Sequence, residues 1–322
     1  MKRTGYGIIF AIFAMTLIGS SAAIAQTPSW APPSESARCP SKWGAGDERG
    51  SGNHMKPQSV LNAARLIKTG EVIELGHVLN DKIAIQSTRR FEMFTKRTGE
   101  FLGSNRRGSN EELVVSEIGQ VGTQFDGFAH QTHENSMYNC FKLNEIATRT
   151  GFTKLGIHNV GALMTRGVMI DVAGFKGVDM LEGGYEITVA DLEGALKKQN
   201  LALQPGDAVI INTGWGKLFG KDNPRYQKSH PGIGVKAAEW IIAKDPMLMG
   251  ADNTSVEVSP PADPLLSGPI HQMALVVYGV HLLEHLKLEE LSAKGVHEFA
   301  FIMQPLKLQG ATGSAVAPIA VR

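Results

Sequence analysis

Short β-rich runs separated by helical stretches constrain this chain more than any other feature. The runs fall at Val72–Leu79, Leu113–Val121, Val168–Val172, Ala208–Asn212, Met247–Ala251, Ala274–Tyr278 and Glu298–Met303. Between several of them lie helical patterns. Gln58–Lys68 carries Val60, Leu61, Ala64, Leu66 and Ile67 at helical spacing and stops at Gly70. Thr188-Val-Ala-Asp191 has a capping-box-like start, and the helix it opens runs to about Gln199. Val235–Ala243 is apolar on most faces. Strands alternating with helices predict an α/β fold with a mixed or partly parallel sheet. Residues 80–112 are polar, glycine-bearing and basic. They read as a long loop, either a lid facing substrate or a plain surface excursion.

The N-terminus sets the expected compartment. Met1-Lys2-Arg3 is basic, an apolar run follows from about Ile8 to Ile18, and Ala23-Ile24-Ala25 is an A-x-A type cleavage site. That is the layout of a secretory signal peptide. The run is shorter than the ~20 residues a spanning helix needs. The expected organisation is a signal peptide at 1–25, an extended lead-in at 26–57 rich in Pro, Ser and Gly, and one catalytic domain at 58–322. Cleavage after about Ala25 makes the chain periplasmic or secreted, with no membrane attachment afterwards. The net charge of +1, from 32 basic and 31 acidic residues, indicates no nucleic-acid surface. Cys39 and Cys140 are the only cysteines. They exclude a multi-cysteine metal site, and their separation does not decide whether they pair.

G-x-S-x-G, Walker, H-E-x-x-H and G-x-G-x-x-G signatures are absent. His281-Leu-Leu-Glu284-His285 matches the zinc-protease pattern H-x-x-E-H. Only 37 residues follow it in the 322-residue chain, too few for the usual downstream ligand. His281 and His285 are therefore read as helix-surface or packing histidines. Gln120-Val-Gly-Thr-Gln-Phe-Asp-Gly-Phe-Ala-His130 is more informative. Gln120, Gln124 and Asp126 share parity and would face one side of an extended chain. Gly122 and Gly127 permit bends that bring His130 back toward Asp126. An acid beside an imidazole is the minimum for a metal ligand with a general base. His133 is a candidate for the same pocket, and Phe128 and Trp215 are candidates for its wall or for the core.

That stretch resembles the signature His-x-Gly-Thr-His-x-Asp-x-Pro-x-His of the metal-dependent cyclase family, which includes bacterial kynurenine formamidase and isatin hydrolase. Further blocks resemble the family in order: Lys42-Trp-Gly-Ala-Gly-Asp47 to Asn53, Gly250-Ala-Asp-Asn253 with Val256-Glu257, His271 with Tyr278-Gly-Val-His-Leu-Leu-Glu284, and Pro305-Leu-Lys-Leu-Gln-Gly310 to Pro318. The likeness covers residues 40–321 and is to the longer-chain branch, with Q-x-G-T-Q-x-D in place of H-x-G-T-H-x-D. It implies a swivelling β/β/α-type single domain with a mixed sheet, assembled as a homodimer or homotetramer. It also implies metal ligands at Asp126, His271 and Glu284, with His130 and Glu284 catalytic. Gln120 and Gln124 stand where two-metal members have histidines, and Phe128 where they have proline. An amide oxygen is a weaker ligand than imidazole for zinc-like metals. The expectation is therefore one divalent ion, Mn or Zn, with Gln120, Gln124, Phe128 and His133 positioning substrate or water.

The function expected on this basis is hydrolysis of a small amide, formamide or lactam. The alternatives are a polyketide-type cyclase or dehydratase using the same metal, and a non-catalytic periplasmic binding protein of the same fold.

Overall fold

A computed structural model describes Met1 and residues 27–83 and 88–322. The expected signal peptide lies outside the described residues. Among them, no helix is long and apolar enough to cross a membrane.

The centre is a nine-stranded mixed sheet. Its order is Val72–Glu74, Ile319–Val321, Glu298–Met303, Leu163–Asp171, Ala208–Asn212, Leu248–Ala251, His281–Glu284, Gln124–Asp126 and Gly313–Ala315. The four strands from Leu163–Asp171 to His281–Glu284 run parallel, and the flanking pairs are antiparallel. The parallel strands are covered on both faces, which is why Ala208-Val-Ile-Ile reads as a continuous apolar run. Alternate residues feed two cores. Val209, Ile211 and Leu282 pack with Leu192, Ala195, Ala238 and Ile241 of the helices. Ala208, Ile210 and Leu283 pack on the other side with Phe299, Phe301, Leu286 and Leu291.

The helix Val189–Gln199 begins at a capping box in which Thr188 and Asp191 satisfy each other's backbone N–H groups. Two expectations are corrected. Residues 80–112 do not form a loop throughout: Phe91–Leu102 and Arg107–Ser116 pair as an antiparallel hairpin. Both of its faces are exposed, so it has no buried side to impose alternation on the sequence. Ala274–Tyr278 is helical rather than a strand. The turn Pro269–His271 continues as a π-helix through Gln272–Tyr278, with Met273, Ala274, Leu275 and Val276 buried. A short run buried all round carries no period that separates strand from helix.

Cys39 and Cys140 form a disulfide. It ties the N-terminal segment to the loop after His130. Asn139 Nδ2 donates to the Gly44 carbonyl, and Tyr138 Oη donates to Asp47 Oδ2 at 2.6 Å, reinforcing the same junction.

Candidate metal centre

The strand Gln124–Asp126 and its neighbour His281–Glu284 build the floor of the site. Glu284 pairs with Gln124 and Leu282 with Asp126. Side chains alternate across a strand, so Gln124, Asp126 and Glu284 stand on the face where Leu282 meets the helix layer. His271 descends from that layer at the end of the turn begun by Pro269. The chain leaves Asp126 through Gly127 into the 3-10 turn Phe128–His130, which brings His130 Nε2 to 3.9 Å from Asp126 Oδ2.

These groups converge on one point. His271 Nε2 lies 3.7 Å from Asp126 Oδ2 and 3.0 Å from Glu284 Oε1. One donor atom each from Asp126, His130 and His271 lies within 4.8 Å of the others. Asp126 Oδ2 and Glu284 Oε1 are buried and accept no hydrogen bond of ordinary geometry, although His271 Nε2 faces both. Buried carboxylate oxygens are costly when unpaired. Two aimed at one imidazole nitrogen fit a divalent cation, which takes carboxylate oxygen and neutral imidazole together. His130, with 31% of its side chain exposed, marks the open side.

The glutamines do not offer their oxygens to this point. Gln120 Nε2 donates to Glu284 Oε2 at 2.6 Å and to the Thr254 carbonyl at 2.9 Å. Gln124 Nε2 donates to Glu284 Oε2 at 2.6 Å and to Asp126 Oδ1 at 3.3 Å. Each amide N–H is thus engaged, and Gln124 Oε1 accepts from the Gln120 backbone. The two residues hydrogen-bond the carboxylates, where the sequence expectation had them positioning substrate or water. Gln120 also reaches the site differently from the sequence reading. The strand before it ends at Ser116, and a turn with Gln120 at φ 61° and Gly122 at φ 73° delivers its side chain.

Glu257 had no assigned role in the sequence reading. Its Oε1 meets His271 Nδ1 at 2.5 Å, and its Oε2 accepts the Ile270 backbone N–H at 3.0 Å. A carboxylate on the far nitrogen fixes the imidazole tautomer and raises its basicity toward a metal. The V-E pair quoted above was the available signal, but partnership with a residue 14 positions on is set by the fold. Glu257→Gln is expected to weaken divalent-metal affinity about 10–100-fold by calorimetry, and unchanged affinity would remove this role.

Electrostatics agree. Burial pushes the Glu284 carboxyl up to about 7, and the Asp126 charge adds to this. Burial opposes charge on His271, yet the Glu257 and Glu284 carboxylates hold its pKa well above the usual value. The site is built around positive charge.

The remaining candidates are placed as follows. His281 is on a strand, not a helix, and is fully buried. Its Nδ1 lies 3.1 Å from the Asp126 carbonyl and its ring stacks on Phe128. His285 is buried too, so neither histidine of the H-x-x-E-H pattern lies on a helix surface. Phe128 packs between His281 and Tyr138 in the core, and Trp215 is also buried. His133 lines a cavity of about 280 Å³ with Arg38, Glu35 and Ser136, and receives a Gln272 amide contact at 3.5 Å.

A profile of the family described as "Putative cyclase" matches residues 52–258. A crystal structure described as a novel cyclase is 32% identical, with a TM-score of 0.82, over 91% of this chain and 100% of that one. Isatin hydrolase A from Ralstonia solanacearum shares the fold at 20% identity and TM-score 0.55, over 78% of this chain and 92% of that one. An isatin hydrolase bound to the product analogue thioisatinate does so at 19% identity and TM-score 0.56, over 83% and 98%. No curated protein matches the chain.

Proposed function

The chain belongs to the cyclase family, and from that premise we propose that it is a metal-dependent hydrolase of a small amide, formamide or cyclic amide. The observation that carries the reading is the pair of buried carboxylate oxygens, Asp126 Oδ2 and Glu284 Oε1, converging on His271 Nε2. Asp126, His271 and Glu284 would hold one divalent ion, with His130 as a further donor or as the base at its open side. Mn or Zn suits one imidazole with two carboxylates. Such an ion supplies Lewis-acid polarisation of a carbonyl and lowers the pKa of water.

The chain's own groups divide the remaining work. His130 is the half-buried imidazole at the open side of the site and would take a proton from water and return it to a leaving nitrogen. Glu257 holds the His271 ring. Gln120 and Gln124 donate hydrogen bonds to Glu284 Oε2, so Oε1 faces the centre. The fold relatives named as isatin hydrolases support a cyclic amide as one substrate class. Metal-loaded protein offered N-formyl amines, isatin-like lactams and other cyclic amides is expected to open at least one C–N bond, with uptake of water and a new carboxylate. Cyclisation or dehydration without a carboxylate product would favour the alternative chemistry. The expected periplasmic or secreted location belongs to the same proposal, supported by the Cys39–Cys140 disulfide. Cell fractionation tests it, and retention in the cytoplasm would remove it.

A further inference from the structure

Behind Glu284 lies a line of hydrogen bonds that the proposed chemistry does not itself use. His285 Nε2 is 3.1 Å from Gln120 Oε1, and His285 Nδ1 is 2.9 Å from Tyr226 Oη. We propose that Tyr226 and His285 are positioning residues that set the Gln120 amide and, through it, aim Glu284 Oε1 at the metal. The inference rests on the single-metal reading above and deepens it.

Donor and acceptor inventory gives the line its direction. An amide oxygen only accepts, so His285 Nε2 carries the hydrogen and donates to Gln120 Oε1. Nδ1 of the neutral ring then accepts, and Tyr226 Oη is its donor. The same hydroxyl lies 3.2 Å from the Asp252 carbonyl, the longer of its two contacts. With Oε1 held by His285, Gln120 turns its NH₂ group toward Glu284 Oε2 and the Thr254 carbonyl. The flipped amide would set its oxygen against those two acceptors, leaving buried groups unsatisfied. Gln120 and Gln124 together saturate Glu284 Oε2, which leaves Oε1 to face His271 Nε2. Tyr226 and His285 are 0% and 1% exposed, so water does not substitute readily for either. Tyr226 sits in the helix Asn223–Lys228, remote in sequence from every other member of the line.

The test is calorimetric titration of the metal-free full chain with Mn²⁺ and with Zn²⁺. His285→Phe is expected to weaken binding about 10–100-fold, as loss of an outer partner does. His285→Gln, which keeps a side-chain N–H donor, recovers most of that loss. Tyr226→Phe, which removes only a hydroxyl, gives a smaller loss and keeps the test valid if His285→Phe does not fold. The double variant His285→Phe/Gln120→Leu binds no more weakly than Gln120→Leu alone, because both act through one amide. Additive losses, or wild-type affinity in both His285→Phe and Tyr226→Phe, overturn the positioning role and leave the metal site standing. A wild-type chain that binds neither ion overturns both readings.

Discussion

Glu284→Gln is expected to weaken divalent-metal affinity at least ~100-fold and to reduce turnover to background. Glu284 is fully buried, with Oε2 held by two glutamine amides and Oε1 facing His271. If the new side chain keeps its oxygen on those donors, an NH₂ group replaces the anionic oxygen at the centre. The same substitution is expected to stabilise the metal-free protein at pH 8. The folded pKa of about 7 lies above the ordinary 4.5. Stability from this carboxyl is therefore fully present below about pH 4.5 and is lost as pH rises through about 7. A neutral glutamine escapes that loss, so its stability relative to the wild type is expected to rise between pH 4.5 and pH 8. Urea unfolding in chelator at both pH values measures it. Full activity in the variant would sink the assignment of Glu284.

The second large effect is expected from Cys39→Ser/Cys140→Ser. The disulfide closes a loop with a sequence separation of 101. For a loop of that length the chain-entropy model gives a loss of roughly 4–5 kcal/mol, corresponding to about 10 °C in Tm. Metal affinity is expected to stay within about threefold, because Asp126 and Glu284 sit on the sheet and His271 on the helix layer, with their outer-shell partners intact. A stability change below about 1 kcal/mol would show that the Asn139 and Tyr138 hydrogen bonds already hold the junction.

What the sequence disclosed depended on how completely a segment's environment marked its residues. Ala208–Asn212 and Glu298–Met303 were legible to the residue because sheet neighbours flank both. The helix after Thr188 was legible because its cap is a local interaction. The Phe91–Ser116 hairpin and the helix at Gln272–Tyr278 were not. One has no buried face and the other no exposed one, so neither shows its period. In the site, Asp126, His130, His271 and Glu284 came from the family motifs, and the structure brings them together. The engagement of Gln120 and Gln124 with Glu284 was hidden. An amide can present either end, and only the surrounding acceptors decide which. Glu257 and His285 were hidden for a related reason, since outer partners are chosen by the fold and carry no spacing rule.

The central claim is one cation on Asp126, His271 and Glu284, with the glutamines holding carboxylates rather than a second ion. Elemental analysis of the protein, purified without chelator, tests it most directly. One divalent metal per chain is the predicted result. Two per chain would mean that Gln120 and Gln124 bind metal after all, and none would leave the protein a binding module of the same fold.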